Sequence, residues 1–499
     1  MLFDRIPSGY PGADEVFDNI RMGDNVVWQV TELAEYRLFA QPFADRAIAD
    51  GRNMVYMHFT HHEPLLSARP GLKIFEFDPD MGFEPFTVAI YNRITAEGKG
   101  TFYVFDSLSD LQSAWYTDQM MANFFRVTCP YLYELETVAY FPLLRSRHSF
   151  DSVARIRDTT QLLIDVYTSD NRVYIHTLKA QERDGNNVYI PHVSTNGGPF
   201  KPLDGGVAVS RYYRLLDDIS SHTQDQNYDS HDRFFAQAKL EYGRGQFRDE
   251  TELTILESMM SKDPNVQRLI HQLFDAKDYF AVRDRMIGSG AIGGKACGML
   301  LARKIAEECL PEFRNHAEPH DSFFIGSDVF YTYLVNNNCW KLRIEQRTPE
   351  GYFTKAPELR EAMLRGEFSE QIREQFKAML SYYGQSPIIV RSSSFLEDGF
   401  GNAFAGKYES VFCVNFGSLE ERLAAFEDAV RQVYASTMDP SALEYRLQRG
   451  LEKLDEQMSI LVQRVSGSWA GPYYLPGVAG VGYSRCLYRT SQDVDPGAG

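Results

Sequence analysis

A single lysine stands where a glycine-rich run hands over to a helix. The run is Gly288-Ser289-Gly290-Ala291-Ile292-Gly293-Gly294 and the lysine is Lys295. Met299, Leu300, Ala302, Ile305 and Ala306 then recur at helical spacing. Glycines allow a backbone to approach a ligand closely and turn its N–H groups onto an anion. A helix N-terminus adds partial positive charge and free donors, and the lysine adds a full charge. These parts suit the holding of a polyphosphate, although a plain connection would use some of the same residues. The spacing is not that of a P-loop, and Ala296 offers no hydroxyl to a magnesium ion.

A second stretch has complementary chemistry. Ile388-Ile389-Val390 reads as a buried strand ending at Arg391, followed by Ser392, Ser393 and Ser394. An acidic pair, Glu397 and Asp398, and the glycines Gly399, Gly401 and Gly406 come next, and Ser410 to Val414 reads as another strand. A cation at a strand end, then hydroxyls and a glycine loop between two strands, would build a cover for phosphates; an ordinary surface hairpin would also fit.

In order and spacing, GGK-x-x-G-M-L-L-A, VRSS-x-x-x-ED and FAGKYES resemble the nucleotide-binding domain of phosphoenolpyruvate synthase and pyruvate phosphate dikinase, a domain shared by rifampin phosphotransferase. The resemblance runs from about Ile255 to the C-terminus. It implies an ATP-grasp fold, with ATP between two α/β lobes. It implies that Gly293, Gly294 and Lys295 meet the ATP phosphates, with Arg391, Ser392 and Ser393 beside them. Phe404-Ala405-Gly406 would close over the phosphates, and Gln463 would meet the adenine. Lys407 stands where relatives often carry glutamine. Glu397 and Asp398 are expected to be structural, holding the loop or pairing Arg391, rather than to act as a base.

The family uses Mg2+, held by carboxylates that follow the segment resembled by Val481 to Ser484, so the metal ligands of this chain stay unassigned. The family passes a phosphoryl group from ATP to a histidine and then to pyruvate. Its phosphohistidine and phosphoenolpyruvate-binding domains would be partners supplied outside this sequence. The chain is therefore read as a fragment that binds ATP and does not complete turnover alone. Two alternatives stay open, a non-catalytic ATP-sensing regulator and a phosphotransferase acting on an antibiotic or another small molecule.

A length of 499 residues suggests two or three domains, and a hydrophobic content of 44% with 24% charged residues is ordinary for a globular protein. The net charge of −17 disfavours nucleic-acid and anionic-membrane partners. No apolar run is long enough to span a membrane, and MLFDRIPSGYPGADE has no signal-peptide pattern. Cys129, Cys297, Cys309, Cys339, Cys413 and Cys486 are scattered, which fits buried thiols in a cytoplasmic protein.

The fold class expected is α/β, in four parts. Residues 1–193 alternate strands (Asn25 to Val30, Asn53 to Phe59, Gly100 to Asp106, Leu162 to Tyr167, Val173 to Leu178) with helical patterns, such as Glu35 to Asp50. With GYPGADEVFDNIRMGDNVVWQV, MVYMHF and FYVFDSLSDL, this part resembles the RecA/KaiC-like ATPase core. That resemblance places a magnesium-site aspartate at Asp106, but Thr31-Glu32-Leu33-Ala34-Glu35 stands in the P-loop position without glycine or lysine. A scaffold without a nucleotide site is expected. His58, His61 and His62 are read as strand or surface residues. Residues 194–249 read as a polar linker carrying His222 and His231, and residues 250–286 as packing helices with Asp263 as a cap. Residues 287–499 form the ATP-binding domain, with helices from Glu358 to Tyr383 and Glu420 to Ala435, and a strand from Met458 to Val465 partnered by Val478 to Ser484.

Overall fold

The computed structural model describes residues 5–480 except 184, 186, 221–224 and 398–405. The sequence assignments to Asp398, Gly399, Gly401, Phe404, Ala405, His222, Val481 to Ser484 and Cys486 lie outside the described residues.

The chain is α/β and built on two sheets. A short antiparallel pair, β1 (Arg5–Ile6) and β2 (Ile20–Arg21), precedes the first. The large sheet takes β3 (Asn25–Val30), β4 (Met54–Phe59), β5 (Leu72–Phe77), β6 (Phe102–Phe105), β7 (Val138–Leu144), β8 (Leu162–Ser169), β9 (Arg172–Ala180), β10 (His192–Thr195) and β11 (Lys201–Pro202). Their order is β11-β10-β9-β8-β3-β7-β6-β4-β5. The pairs from β8 through β5 are parallel, and β9, β10 and β11 close the other edge antiparallel. Strand β4 is buried at every position, as a parallel strand covered on both faces must be.

The connection from β3 to the helix Leu33–Ala49 is only Thr31 and Glu32. Glu35, in the helix's first turn, turns back so that its carboxylate accepts the Thr31 N–H at 2.6 Å and the Thr168 hydroxyl at 2.7 Å. A carboxylate of the chain itself thus occupies the donors at this strand end.

The second sheet contains β12 (Met286–Ile287), β13 (Ser322–Ile325), β14 (Ile388–Ser394), β15 (Ser410–Cys413) and β16 (Met458–Arg464), in the order β12-β13-β16-β14-β15. A hairpin of β17 (Ser468–Ala470) and β18 (Tyr473–Leu475) follows. Strand β16 lies between β13 and β14, so neither neighbour is the Val478 to Ser484 segment expected; Val478 to Gly480 belong to no strand.

Several expectations need correction. Residues 194–249 are not a solvated linker. The first sheet runs on to Pro202, and helices Gly206–Ser220 and Ser230–Gly243 follow. His231 is 2% exposed, its ring 4.9 Å from that of Phe235. A polar sequence with helical spacing hides such a helix when its few apolar residues all face inward. The helix expected from Glu358 to Tyr383 is two, Ala356–Arg365 and Glu370–Tyr383, parted at Gly366. The helix Gly294–Cys309 buries Ala296, Cys297, Leu300 and Leu301 rather than the stripe through Ala302 and Ile305, and Ile305 is exposed. Cys309 is exposed, whereas Cys129, Cys297, Cys339 and Cys413 are buried. His58 lies in β4 and His61 is exposed, as read, but His61 and His62 sit in the turn after β4 rather than on a strand.

The two sheets share one apolar core. Phe86, Phe105 and Phe124 of the first part belong to the same cluster as Phe330, Tyr434 and Ile460 of the second. Phe83 sits 5.0 Å from Tyr331 and 5.2 Å from Trp340, ring to ring. Within this seam the fully buried Glu84 accepts from Arg343 at 2.5 Å and from Arg347 at 2.6 Å. Burial alone would raise the pKa of Glu84, but the two guanidiniums hold it down to about 2. Asp263 caps the helix Pro264–Leu273 by accepting the Asn265 and Val266 N–H groups.

Candidate functional site

The glycine run and the serine strand meet face to face. Gly293 precedes the helix Gly294–Cys309 with φ of 82°. A Cβ there would fall 1.5 Å from the Ser393 carbonyl oxygen, and one on Gly294 would fall 1.8 Å from that of Glu397. These glycines are needed because the turn is pressed onto the chain's own strand end. Ser393 completes the join: its hydroxyl donates to the Ile292 carbonyl at 2.8 Å and accepts the Ala296 N–H at 3.0 Å. Ser459 of β16 adds a bond to the Ala291 carbonyl at 2.6 Å.

Lys295 follows this joint, and β14 fixes where it reaches. Strand β15 pairs with β14 only as far as Arg391, so Ser392 to Ser394 are bonded to β16 alone. The Lys295 ammonium lies 3.1 Å from the Ser392 hydroxyl and 3.2 Å from Glu397 Oε1. Glu397 also accepts the Ser392 hydroxyl at 2.9 Å and the Ser394 N–H at 2.8 Å. Burial pushes the Glu397 carboxyl up, against the pull of Lys295. Glu397 therefore holds the loop entry, as expected, but its cation is Lys295 rather than Arg391.

Arg391 turns instead to Gln463, with Nη1 at 3.4 Å from Oε1. The Gln463 amide nitrogen lies 3.3 Å from the Ser322 hydroxyl and 3.1 Å from the Met299 sulfur. Successive strand residues point to opposite faces, so Arg391 and Ser392 open two neighbouring clusters. One is Lys295, Ser392 and Glu397; the other is Arg391, Gln463, Ser322 and Met299. A cavity of about 490 Å³ lies beside Ser322, lined also by Arg285, Arg303, Lys304 and His320. Its cations are paired, Arg285 with Asp321 at 3.3 Å, Arg303 with Glu307 at 2.9 Å and Lys304 with Asp278 at 2.6 Å.

Sequence reasoning missed the residues that tie together the two flanks of residues 398–405. Ser394, on the first flank, donates to Glu456 at 3.0 Å, and Tyr408, on the second, donates to the same carboxylate oxygen at 2.7 Å. The other oxygen of Glu456 pairs with Arg446, and both side chains are buried. Glu456 is thus the fixed post between the two flanks of the 398–405 segment. Nothing in its local sequence marks it, because the contact spans 62 residues to Ser394. Gly406 has φ of 68°, and a Cβ there would meet no described atom within 4 Å.

Around Lys295 the described residues fit magnesium poorly. Glu397, the carboxylate at Lys295, already accepts from an ammonium, a hydroxyl and a backbone N–H. Divalent magnesium wants oxygen ligands in near-octahedral array, and the described partners of Lys295 offer it one carboxylate.

Residues 289–494 match the family described as pyruvate phosphate dikinase, AMP/ATP-binding domain. No curated protein matches the chain. The matched segment begins within the glycine run and includes Lys295, Arg391 and Gln463. It is similar to the nucleotide-binding domain of that kinase family, which supports an ATP-binding module of that kind. Among the described residues no helix is long and apolar enough to cross a membrane.

Proposed function

We propose that this chain supplies the ATP-binding module of a dikinase-like phosphotransferase. The observation that carries the reading is the delivery of Lys295, by a helix N-terminus, to the strand residue next to Arg391. Phosphoryl transfer needs charge held in place more than it needs covalent help from the protein. Lys295 and Arg391 would hold the ATP phosphates from the two adjacent clusters, with the Gly293-Gly294 turn and Ser392 and Ser393 setting their positions. Gln463 would meet the adenine edge through its amide. Phe404, Ala405 and Gly406 would lie over the phosphates, on the segment anchored by Glu456. Mg2+ would supply charge neutralisation in such a reaction; no residue here is assigned to it.

In this reading the phosphoryl group passes to a histidine and then to pyruvate or another small acceptor, on phosphohistidine and phosphoenolpyruvate-binding domains that act with the module in the cytoplasm. The first sheet serves as a scaffold. Titration calorimetry of the full chain with ATP tests the core of the proposal. Lys295→Ala and Arg391→Ala are each expected to weaken ATP binding about tenfold, as for one lost charge-assisted hydrogen bond. Unchanged affinity in both variants would overturn it.

The regulatory reading is favoured by one observation, the buried Glu84 shared by Arg343 and Arg347. That link would pass any movement of the nucleotide domain to the first sheet. Slowed hydrogen exchange in the helix Phe83–Glu97 on ATP addition, without ATP turnover, would support it; unchanged exchange would count against it.

A further inference from the structure

The carboxyl ends of β4 and β6 lie side by side, with Met57 opposite Phe105. Four polar side chains collect there, the place where open α/β sheets commonly build their sites. His58 comes from β4, His62 from the turn beyond it, Asp106 from the residue after β6, and Asp110 from the first turn of the helix Leu108–Trp115. His58 Nδ1 is 2.7 Å from Asp106 Oδ2. His62 Nε2 is 3.4 Å from Asp106 Oδ2 and 3.2 Å from Asp110 Oδ2. The ligand atoms of His58, His62 and Asp106 all lie within 4.8 Å of one another.

The tautomer of His62 decides what this cluster wants. Its Nδ1 is 2.7 Å from the Glu63 carbonyl oxygen, which can only accept, so the proton sits on Nδ1. Nε2 then faces two carboxylate oxygens. Neither His62 Nε2 nor Asp110 Oδ2 has an aligned hydrogen-bond partner, and both atoms are shielded from solvent. Nε2 and two carboxylates gathered in this shielded corner call for a positive charge between them: a second proton on His62, which the Asp110 carboxylate favours by raising the ring's pKa to about 9, or a metal cation that takes its place. For metal–ligand bonds of about 2.0–2.1 Å a tetrahedron has edges of about 3.3 Å. The two edges at His62 have that length, whereas His58 Nδ1 and Asp106 Oδ2, at 2.7 Å, must move apart to share an ion. The supporting groups are also those of a metal centre: His62 donates its other N–H to a backbone carbonyl, and Asp106 is oriented by the Tyr56 hydroxyl and the Phe59 N–H.

We propose that His58, His62 and Asp106, with Asp110 beside His62, form a site for a divalent transition-metal ion of the zinc class. Two imidazole nitrogens with two carboxylates suit zinc and disfavour magnesium and calcium, which take oxygen ligands. The ion ties the turn after β4 to the helix Leu108–Trp115 and makes this sheet end a structural centre rather than a nucleotide site. Nothing in the proposal depends on the ATP reading. The exposed group of His61, Asp78 and Asp80 is separate, with His61 Nε2 at 3.6 Å from Asp80, and serves as the control.

The test uses the full chain stripped by a chelator and titrated with Zn2+ in competition with a chromogenic chelator, then with Co2+ alone. One Zn2+ per chain and the visible absorption of four-coordinate Co2+ are expected. His62→Gln and Asp110→Asn should each weaken Zn2+ binding ~100-fold, and His61→Gln should leave it unchanged. The side chains of His62 and Asp110 are 22% and 24% exposed, so these changes spare the buried Asp106. Thermal unfolding of the metal-free variants checks that they are folded. Failure to take up Zn2+, or wild-type affinity in both the His62 and Asp110 variants, would overturn the proposal.

Discussion

Lys295 is held by Glu397 at 3.2 Å, so the cation expected to meet a phosphate is already neutralised by the chain itself. A phosphate must displace that carboxylate. Glu397→Gln keeps the shape and removes the competing charge. It is expected to tighten ATP binding severalfold, whereas Lys295→Ala weakens it. Calorimetry on both variants reads the sign directly. Tighter binding in neither, or looser binding in Glu397→Gln, would show that the pair is not a latch. Acid should act in the same direction. The folded-state pKa of Glu397 lies above its ordinary value because of burial, so falling pH protonates it early and releases Lys295. ATP affinity, corrected for the protonation of ATP itself, should therefore rise as pH falls through that pKa, and the rise should vanish in Glu397→Gln.

Some elements were legible in sequence because their signals are local. β3 spans Asn25–Val30 as its apolar run predicts, and Asp263 caps a helix as its place before Pro264 predicts. β7 was not legible. Its run contains Pro142, which argues against a central strand. The structure allows it because β6 pairs only as far as Tyr140, leaving that side of Pro142 unbonded. Long-range partners were equally hidden. Glu397 and Lys295 lie 102 residues apart, and His62 joins Asp106 only when two parallel strands are set side by side. Adjacent histidines on a strand would diverge; on a turn they need not.

Glu84 gives a pH signature for the seam between the sheets. Its folded pKa of about 2 lies below the ordinary 4.5, so its contribution to stability is complete above 4.5 and is lost as pH falls from there through 2. Glu84→Ala leaves the buried Arg343 and the partly buried Arg347 without their anion and should destabilise by about 3–5 kcal/mol. Because one core joins both sheets, the wild type should unfold in a single transition. Calorimetric scans at neutral and acid pH check both points. Two separate transitions in the wild type would contradict the shared core.

The Glu35 carboxylate bears on whether the first sheet holds a nucleotide. It fills the donors at the end of β3, and the connection there is two residues long. One ATP per chain is therefore expected, lost in a Lys295→Ala/Arg391→Ala double variant. Glu35→Gln should lower stability by about 1–3 kcal/mol and create no second site. One equivalent of ATP still bound by the double variant would refute the scaffold reading.

Gly293 separates two roles for the glycine run. If the turn needed glycine only for a ligand, Gly293→Ala would leave the nucleotide-free protein as stable as before. The structure says otherwise. The residue has φ of 82°, and a Cβ would lie 1.5 Å from the Ser393 oxygen. Relief requires the turn to lift from β14, breaking the Ser393 bonds to Ile292 and Ala296. A loss of about 2–4 kcal/mol in the absence of ATP is expected, from strain and lost hydrogen bonds together. Gly298, on the same helix with open space around it, is the comparison. Gly298→Ala should raise stability by up to about 1 kcal/mol through helix propensity. Denaturant unfolding of both variants without nucleotide measures the contrast. Equal stability of the Gly293 and Gly298 variants would mean that the turn is free to move off the strand, and that its glycines serve the ligand alone.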